Sequence, residues 1–203
     1  MWPMRWVLKP GIFIACLMPA LRLGAGAFGV AGVSLGADPV AEMLHTCGWW
    51  TLTFLMITLC MSPLRQLTGS LVWMRFRRMF GLFAFFYVLC HLLVYALLDQ
   101  AGNLRAVWQD IAKRPYITIG MVAFLLLIPL AVTSTAKMQR RMGRRWLRLH
   151  QLIYVVAILG TWHFWWQVKK DIREPALYAA ALLVLLGFRL WKQRHRLVPA
   201  VRA

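Results

Sequence analysis

Three histidines of this 203-residue chain, His91, His150 and His163, lie inside long apolar stretches. Such stretches predict membrane-spanning helices, where an ionisable side chain is costly and is commonly kept for function. Imidazole suits two uses there, because it can join helices by a hydrogen bond or ligate a metal through an unprotonated nitrogen. To decide between these two uses, we first compare how deep each histidine lies within its predicted helix.

His91 and His163 are predicted at similar heights in the membrane. His91 comes about 12 residues after the cytoplasmic start of its stretch and His163 about 14 residues after, which places them about 18 Å and 21 Å in. Two neutral imidazoles at one height on two helices suit a planar metallocycle bound through two axial bonds, with its apolar rim filling the bundle. A direct hydrogen bond between helices is the alternative that needs no metal. Composition and spacing leave both open.

Among metal sites, the composition favours haem. Non-haem iron or copper sites of the oxygenase kind use carboxylates, and none of the apolar stretches contains one. The chain also has no CxxCH motif, which excludes covalently attached c-type haem. Its cysteines have no CxxC spacing, so they predict neither a zinc site nor a disulfide framework; they are Cys16, Cys47, Cys60 and Cys90.

Six apolar stretches predict an all-α, polytopic membrane bundle. The chain is 61% hydrophobic and only 15% charged, which lies outside the range of ordinary soluble proteins. The stretches leave no room for a separate soluble domain, and no glycine-rich nucleotide-binding motif occurs, so we predict one transmembrane domain over residues 1–203. The predicted spans are residues 10–31, 48–64, 79–98, 116–134, 149–167 and 175–191.

The charges predict the orientation of the bundle. Basic residues concentrate at the N-terminus and in three further blocks, at 65–78, 137–148 and 189–202, which are alternate connections. By the positive-inside rule these blocks and both termini are cytoplasmic. The net charge of +18 is therefore explained by topology and by attraction to anionic lipid, not by binding of nucleic acid. All six acidic residues fall on the other side: Asp38, Glu42, Asp99, Asp110, Asp171 and Glu174.

Four blocks of the sequence carry a resemblance to a known family. They are LGADPV at 35–40, FRRMFGLFAFFYVLCHLLVYALLD at 76–99, RPYITIG at 114–120 and AVTSTAKMQRRMGRRWLRLHQLIYVVAILGTWH at 131–163. In order and spacing they resemble the MsrQ (YedZ) family of haem-binding membrane subunits. That family belongs to the ferric-reductase-like transmembrane group and serves the periplasmic methionine sulfoxide reductase system of Gram-negative bacteria.

The resemblance implies a function and a set of cofactors. The implied fold is a six-helix haem b bundle in the inner membrane. Electrons would come from the quinone pool or from a cytosolic flavin reductase and pass to MsrP, a periplasmic molybdopterin enzyme, with FMN as a further cofactor. His91, His150 and His163 match the histidines that the resemblance assigns to haem.

Some arginines are candidate cofactor-binding residues as well. Arg77, Arg78 and Arg144, with Arg141 and Arg145, could hold haem propionates or a flavin phosphate through charge-assisted hydrogen bonds. The alternative is that they only determine topology.

The chain departs from the wider ferric-reductase pattern, in which each of the two haem helices carries two histidines. The third span has only His91, and the position fourteen residues earlier is Arg77. On an ideal helix His150 and His163 point about 140° apart. We therefore predict an outer haem on His91 and His163. A second haem on His150, a flavin or a quinone would bridge the inner half of the membrane.

Two other functions stay open on the sequence alone. A ferric or oxygen reductase would use the same haem, but such enzymes usually carry a fused flavin and nicotinamide domain. A haem-free transporter or assembly factor would use the histidines to relay protons or to link helices. A visible spectrum separates this last function from the others, since only a haem protein gives a strong porphyrin band.

Overall fold

The computed structural model describes residues 4–169 and 171–197, and the elements in that part of the chain are helices. Residues 1–3, 170 and 198–203, together with the side chains of residues 4, 5 and 195–197, lie outside this description. They include part of the last basic block. The helices are α1 (Lys9–Ala27), α2 (Pro39–Thr68), α3 (Val72–Leu93), α4 (Leu104–Lys113), α5 (Pro115–Val132), α6 (Ala136–Met142), α7 (Arg144–His150), α8 (Leu152–Gln167) and α9 (Arg173–Leu197). Single π-helical segments, Met4–Leu8 and Val94–Asp99, precede α1 and extend α3.

The prediction of an all-α, multi-pass membrane protein is confirmed. Among the described residues, five helices are long and apolar enough to cross a membrane: Trp6–Ala27, Pro39–Thr68, Val72–Asp99, Pro115–Val132 and Arg173–Arg194. The predicted span at 149–167 coincides with α8, whose 16 residues rise about 24 Å. Gln151 joins α7 to α8 through tight i→i+3 hydrogen bonds, from its own N–H to the Arg148 carbonyl and from the Tyr154 N–H to its carbonyl. The count of six spans stays a prediction.

Helix ends follow ordinary capping chemistry. Asp38 accepts a hydrogen bond from the Ala41 N–H at 3.0 Å and so caps α2, which has Pro39 in its first turn. Gly69 ends the same helix in the left-handed region, at φ +69°. Asn103 caps α4, a short amphipathic helix in the connection between α3 and α5.

Two antiparallel helix pairs form the centre of the bundle. Helix α2 packs most extensively on α3, and α5 packs most extensively on α8. Within the first pair, the rings of Phe54 and Tyr87 stack with their centroids 5.5 Å apart, and both side chains are buried. The Tyr87 hydroxyl donates to the Cys16 carbonyl and accepts from the Ala20 N–H, which ties α3 to α1. The facing surfaces of the two pairs carry the histidines.

We name the two ends of the bundle by their charges. The end at which α2 finishes and α3 begins carries the basic block at 65–78, and we call it the basic end. The opposite end carries Asp38, Asp99 and Asp110, and we call it the acidic end.

Candidate functional site

His91 of α3 and His163 of α8 face each other inside the bundle. Their ring centroids are 6.3 Å apart and the ring planes are nearly perpendicular, at 85°. Each side chain is partly buried. The structure therefore brings together two of the three histidines singled out in the sequence, one from each helix pair.

A main-chain carbonyl of the neighbouring helix fixes each ring. His91 Nδ1 lies 3.0 Å from the Leu44 carbonyl oxygen on α2, and His163 Nδ1 lies 2.7 Å from the Tyr116 carbonyl oxygen on α5. Because a carbonyl oxygen only accepts, each Nδ1 carries the proton and donates it. Nε2 of each ring is then unprotonated and has a lone pair available for a metal.

A glycine one helical turn after each carbonyl makes room for the ring. Gly48 follows Leu44 by four residues and Gly120 follows Tyr116 by four. A Cβ atom at Gly120 would lie 2.8 Å from His163 Nδ1, closer than such atoms approach in real structures, whereas one at Gly48 would lie 3.4 Å from His91 Nδ1. Gly120 is therefore required sterically, whereas an alanine at position 48 would be in near-ordinary contact with the His91 ring.

The surroundings of His91 and His163 are alike. Each histidine comes 47 positions after the residue whose carbonyl it contacts. In both cases the carbonyl and the glycine lie on the first helix of a pair, and the histidine lies on the second. The pairs α2–α3 and α5–α8 are thus a structural repeat around the site. The sequence shows no matching repeat of residue types, but it does show an isolated glycine at the same spacing before each histidine.

A cavity of about 310 Å³ lies beside the two rings and is bounded by α2, α3, α5 and α8. Its volume falls in the range of pockets that bind cofactors and drug-sized ligands. Most of its wall is apolar, which suits the rim of a macrocycle. The polar groups gather towards the acidic end: Tyr95, Asp99, Arg114, Tyr116 and Gln167.

The spacing of the two rings is compatible with both histidines holding one metal. Metal bonds to imidazole nitrogen are about 2 Å long and each nitrogen lies about 1 Å from its ring centre, so two imidazoles that share a metal can have centroids up to about 6 Å apart, close to the 6.3 Å found here. Within residues 4–169 and 171–197, no group of three or more His, Cys, Asp and Glu side chains could hold a metal ion. A pair of histidines alone fits a metal whose other ligands come from a macrocycle, as in haem.

His150 lies elsewhere. Its ring stacks on Trp146 with centroids 3.8 Å apart, and its Nδ1 is 3.1 Å from the Trp146 carbonyl oxygen. It does not line the cavity beside His91 and His163. The irregular turn at Gln151 follows it directly. A role for His150 in binding haem stays a prediction.

The three candidate arginines differ in environment. Arg77 is half-buried at the basic end, where it lines a second cavity, whereas Arg78 and Arg144 are exposed. None of the three lines the cavity beside the paired histidines. Their role in cofactor binding stays a prediction.

Comparison with known proteins identifies the family. Residues 47–161 match the family described as the ferric reductase like transmembrane component. The protein-methionine-sulfoxide reductase heme-binding subunit MsrQ of Xanthomonas oryzae pv. oryzae is 53% identical over 190 residues, which cover 92% of this chain and 87% of that protein. The chain belongs to the MsrQ family. A subunit of the same description from Xanthomonas euvesicatoria pv. vesicatoria is 59% identical over 160 residues, which cover 79% of this chain and 73% of that protein. Another from Rhodospirillum rubrum is 48% identical over 192 residues, which cover 94% of this chain and 88% of that protein.

Membership in the MsrQ family confirms the resemblance drawn from the four sequence blocks. The Leu44 and Tyr116 carbonyls that orient the histidines could not be found from the sequence, because every residue type has a main-chain carbonyl. The only sequence feature that accompanies them is the glycine four residues later, Gly48 or Gly120.

Proposed function

We propose that this chain is the haem b electron-transfer subunit of a methionine sulfoxide reductase system in the bacterial inner membrane. The observation that carries the proposal is the pair His91 and His163, with rings 6.3 Å apart and both Nδ1 atoms bound to carbonyls. The MsrQ relatives are described as heme-binding subunits. Haem, when bound, accepts and releases single electrons at its iron.

The chain's own groups hold and orient this cofactor. His91 and His163 would hold the haem iron through Nε2, and the Leu44 and Tyr116 carbonyls keep each ring in the tautomer that leaves Nε2 unprotonated. The apolar part of the cavity wall would pack against the rim of the macrocycle. In this proposal the chain carries electrons and the substrate chemistry takes place on its partner.

The proposed direction of transfer is from the basic to the acidic end. Quinol or a cytosolic flavin reductase would supply electrons at the basic end, and the periplasmic molybdopterin protein MsrP would accept them at the acidic end. Support comes from the charge asymmetry, which makes the basic end cytoplasmic. His150, with a second haem, FMN or a quinone, is proposed to bridge the inner half, since the histidine pair alone leaves about 20 Å to the cytosol.

The bonds from His91 to Leu44 and from His163 to Tyr116 each join two neighbouring helices, so they would serve a haem-free bundle as well as a haem site. Two other observations favour the haem carrier: the ring centroids are 6.3 Å apart, and a largely apolar cavity lies beside the rings. The description of the relatives as heme-binding subunits favours it further over a transporter or assembly factor.

The proposal predicts that methionine sulfoxide reacts only when the periplasmic partner is present. The purified protein is reduced, and methionine sulfoxide is added with and without MsrP while the haem spectrum and methionine formation are followed. We expect haem oxidation coupled to methionine formation only in the presence of MsrP. Coupled turnover without the partner would show that this chain performs the chemistry itself, and the carrier function would be wrong.

Replacement of His150 tests the inner half of the path. His150→Ala is expected to slow reduction from the cytosolic side while the haem on His91 and His163 remains, because His150 does not line their cavity. Haem content and the rate of reduction are measured on the same preparation. Equal loss of all haem would instead make His150 a primary ligand.

A further inference from the structure

Two arginines from different helices lie within electrostatic range of each other near the basic end of the bundle. Arg77 of α3 interacts electrostatically with Arg189 of α9 and with Tyr154 of α8. The Arg189 guanidinium lies over the Tyr154 ring, 4.8 Å from its centroid, and donates to the Tyr154 hydroxyl. All three side chains are at least half-buried. Two like charges are thus held close together within the bundle.

A proline explains the position of Arg189. In a regular helix the N–H of residue 63 would donate to the Leu59 carbonyl, but Pro63 has no N–H. Arg189 Nη2 donates to that carbonyl at 2.6 Å. An unsatisfied carbonyl in the membrane is costly, so this bond anchors the guanidinium there. Arg189 Nε is buried and has no hydrogen-bond partner among the described residues.

Among the described residues, no acidic side chain pairs with either of these arginines. The three ion pairs of the described part all lie at the acidic end: Arg22–Glu42, Arg114–Asp110 and Arg173–Asp171. All six aspartate and glutamate residues of the sequence lie towards that end. A cation inside a membrane bundle normally pairs with a counter-charge or faces a water-filled cavity. An anion from outside the chain would supply the counter-charge.

Arg77 also lines a cavity that could receive such an anion. The cavity has a volume of about 380 Å³ and lies between α2 and α3 at the basic end. Its other lining residues are Ser62, Arg65, Gln66 and Met74. Two guanidinium groups, a hydroxyl and an amide all donate hydrogen bonds, and no lining residue is acidic.

We infer that this cavity binds a phosphate group, held by Arg77 and Arg65 with hydrogen bonds available from Ser62 and Gln66. Guanidinium groups suit phosphate because they offer paired donors in a planar fork. Bound phosphate would also offset the repulsion between Arg77 and Arg189. The site shares no lining residue with the cavity beside the paired histidines, so it does not depend on haem binding by His91 and His163. A phospholipid headgroup and a soluble phosphate ester present the same group.

The test measures binding to the full chain in neutral detergent. Inorganic phosphate is one probe; phosphatidylglycerol is the other, with phosphatidylcholine as the lipid of zero net charge. Binding is followed through the thermal unfolding midpoint at constant ionic strength. We expect at least one of the two probes to raise the midpoint in a saturable way. A response to phosphatidylglycerol alone assigns the site to lipid, and a response to inorganic phosphate assigns it to a soluble ester.

Matched variants separate a built site from a general positive field. Arg77→Gln is expected to weaken binding about tenfold, as loss of a charge-assisted hydrogen bond does. Arg140→Gln removes the same charge from an exposed residue of α6 that does not line the cavity, and it is expected to leave binding within about twofold of the original. Arg77→Lys keeps the charge but loses the planar fork of donors, so it is expected to weaken binding by less than Arg77→Gln does. If Arg77→Gln does not fold, Arg77→Lys replaces it in the test and a measurable loss of binding is expected. The inference is overturned by equal loss in Arg77→Gln and Arg140→Gln, by unchanged binding in Arg77→Lys where Arg77→Gln does not fold, or by no response to either probe.

Discussion

Replacing His163 with alanine is expected to abolish the low-spin haem spectrum of the purified protein, and His91→Ala is expected to do the same. Each ring supplies one of the two axial nitrogens in the proposed site, and its partner on the other helix pair cannot occupy both positions. Axial ligation is the main means by which a protein fixes the spin state of haem. The absorption spectrum, the electron paramagnetic resonance spectrum and the ratio of haem to protein measure the effect.

His45→Ala is the matched control, because His45 lines the same cavity but does not form the central pair. It is expected to keep six-coordinate haem. Size-exclusion chromatography of all three variants establishes that the bundle remains folded. Full six-coordinate haem in either His91→Ala or His163→Ala would show that the pairing is wrong.

A single methyl group at position 120 is expected to lower haem content about tenfold, the size of effect seen when the support of a metal ligand is disturbed. The added Cβ of Gly120→Ala would lie 2.8 Å from His163 Nδ1 and 3.0 Å from Cε1, so the ring must move. Moving it strains the 2.7 Å hydrogen bond to the Tyr116 carbonyl, which fixes the tautomer. Haem titration of the purified apoprotein measures the change in affinity.

Gly48→Ala provides the internal comparison on the other helix pair. Its Cβ would lie 3.4 Å from His91 Nδ1 and Cε1, which requires only a small shift of the ring. Alanine also favours a helix more than glycine does, by about 1 kcal/mol, so the folded bundle gains a little stability. We expect haem affinity close to that of the original protein. Equal losses in both variants would show that contact at position 120 does not control the ligand.

The pairing of His91 and His163 could be anticipated from the sequence because helical rise is constant. Counting residues from the basic end gives similar depths for both, and the structure places their rings 6.3 Å apart. The angular spacing of His150 and His163 similarly warned that they need not face one partner. That angle assumed one ideal helix, whereas the turn at Gln151 separates α7 from α8, so residue counting gives depth more securely than direction.

Features that depend on contacts between helices could not be predicted. The carbonyls of Leu44 and Tyr116 orient the rings only because neighbouring helices pack in one register. Helix α4 lies in a polar connection whose length did not distinguish a loop from a short capped helix. The bond from Arg189 to the Leu59 carbonyl joins residues 130 positions apart, although Pro63 in the sequence already marks that carbonyl as unpaired.

The two main-chain anchors have a consequence for how this protein tolerates mutation. A side-chain anchor for a metal-ligating imidazole is lost when its residue changes, but a carbonyl is supplied by any amino acid. Exchanges at 44 and 116 that preserve the helix therefore leave the hydrogen bonds to His91 and His163 in place. In a saturation mutagenesis scan scored by haem content, the intolerance should appear instead at position 120, one turn away. Besides the two histidines, the residue that such a scan marks as indispensable would be one with no side chain at all.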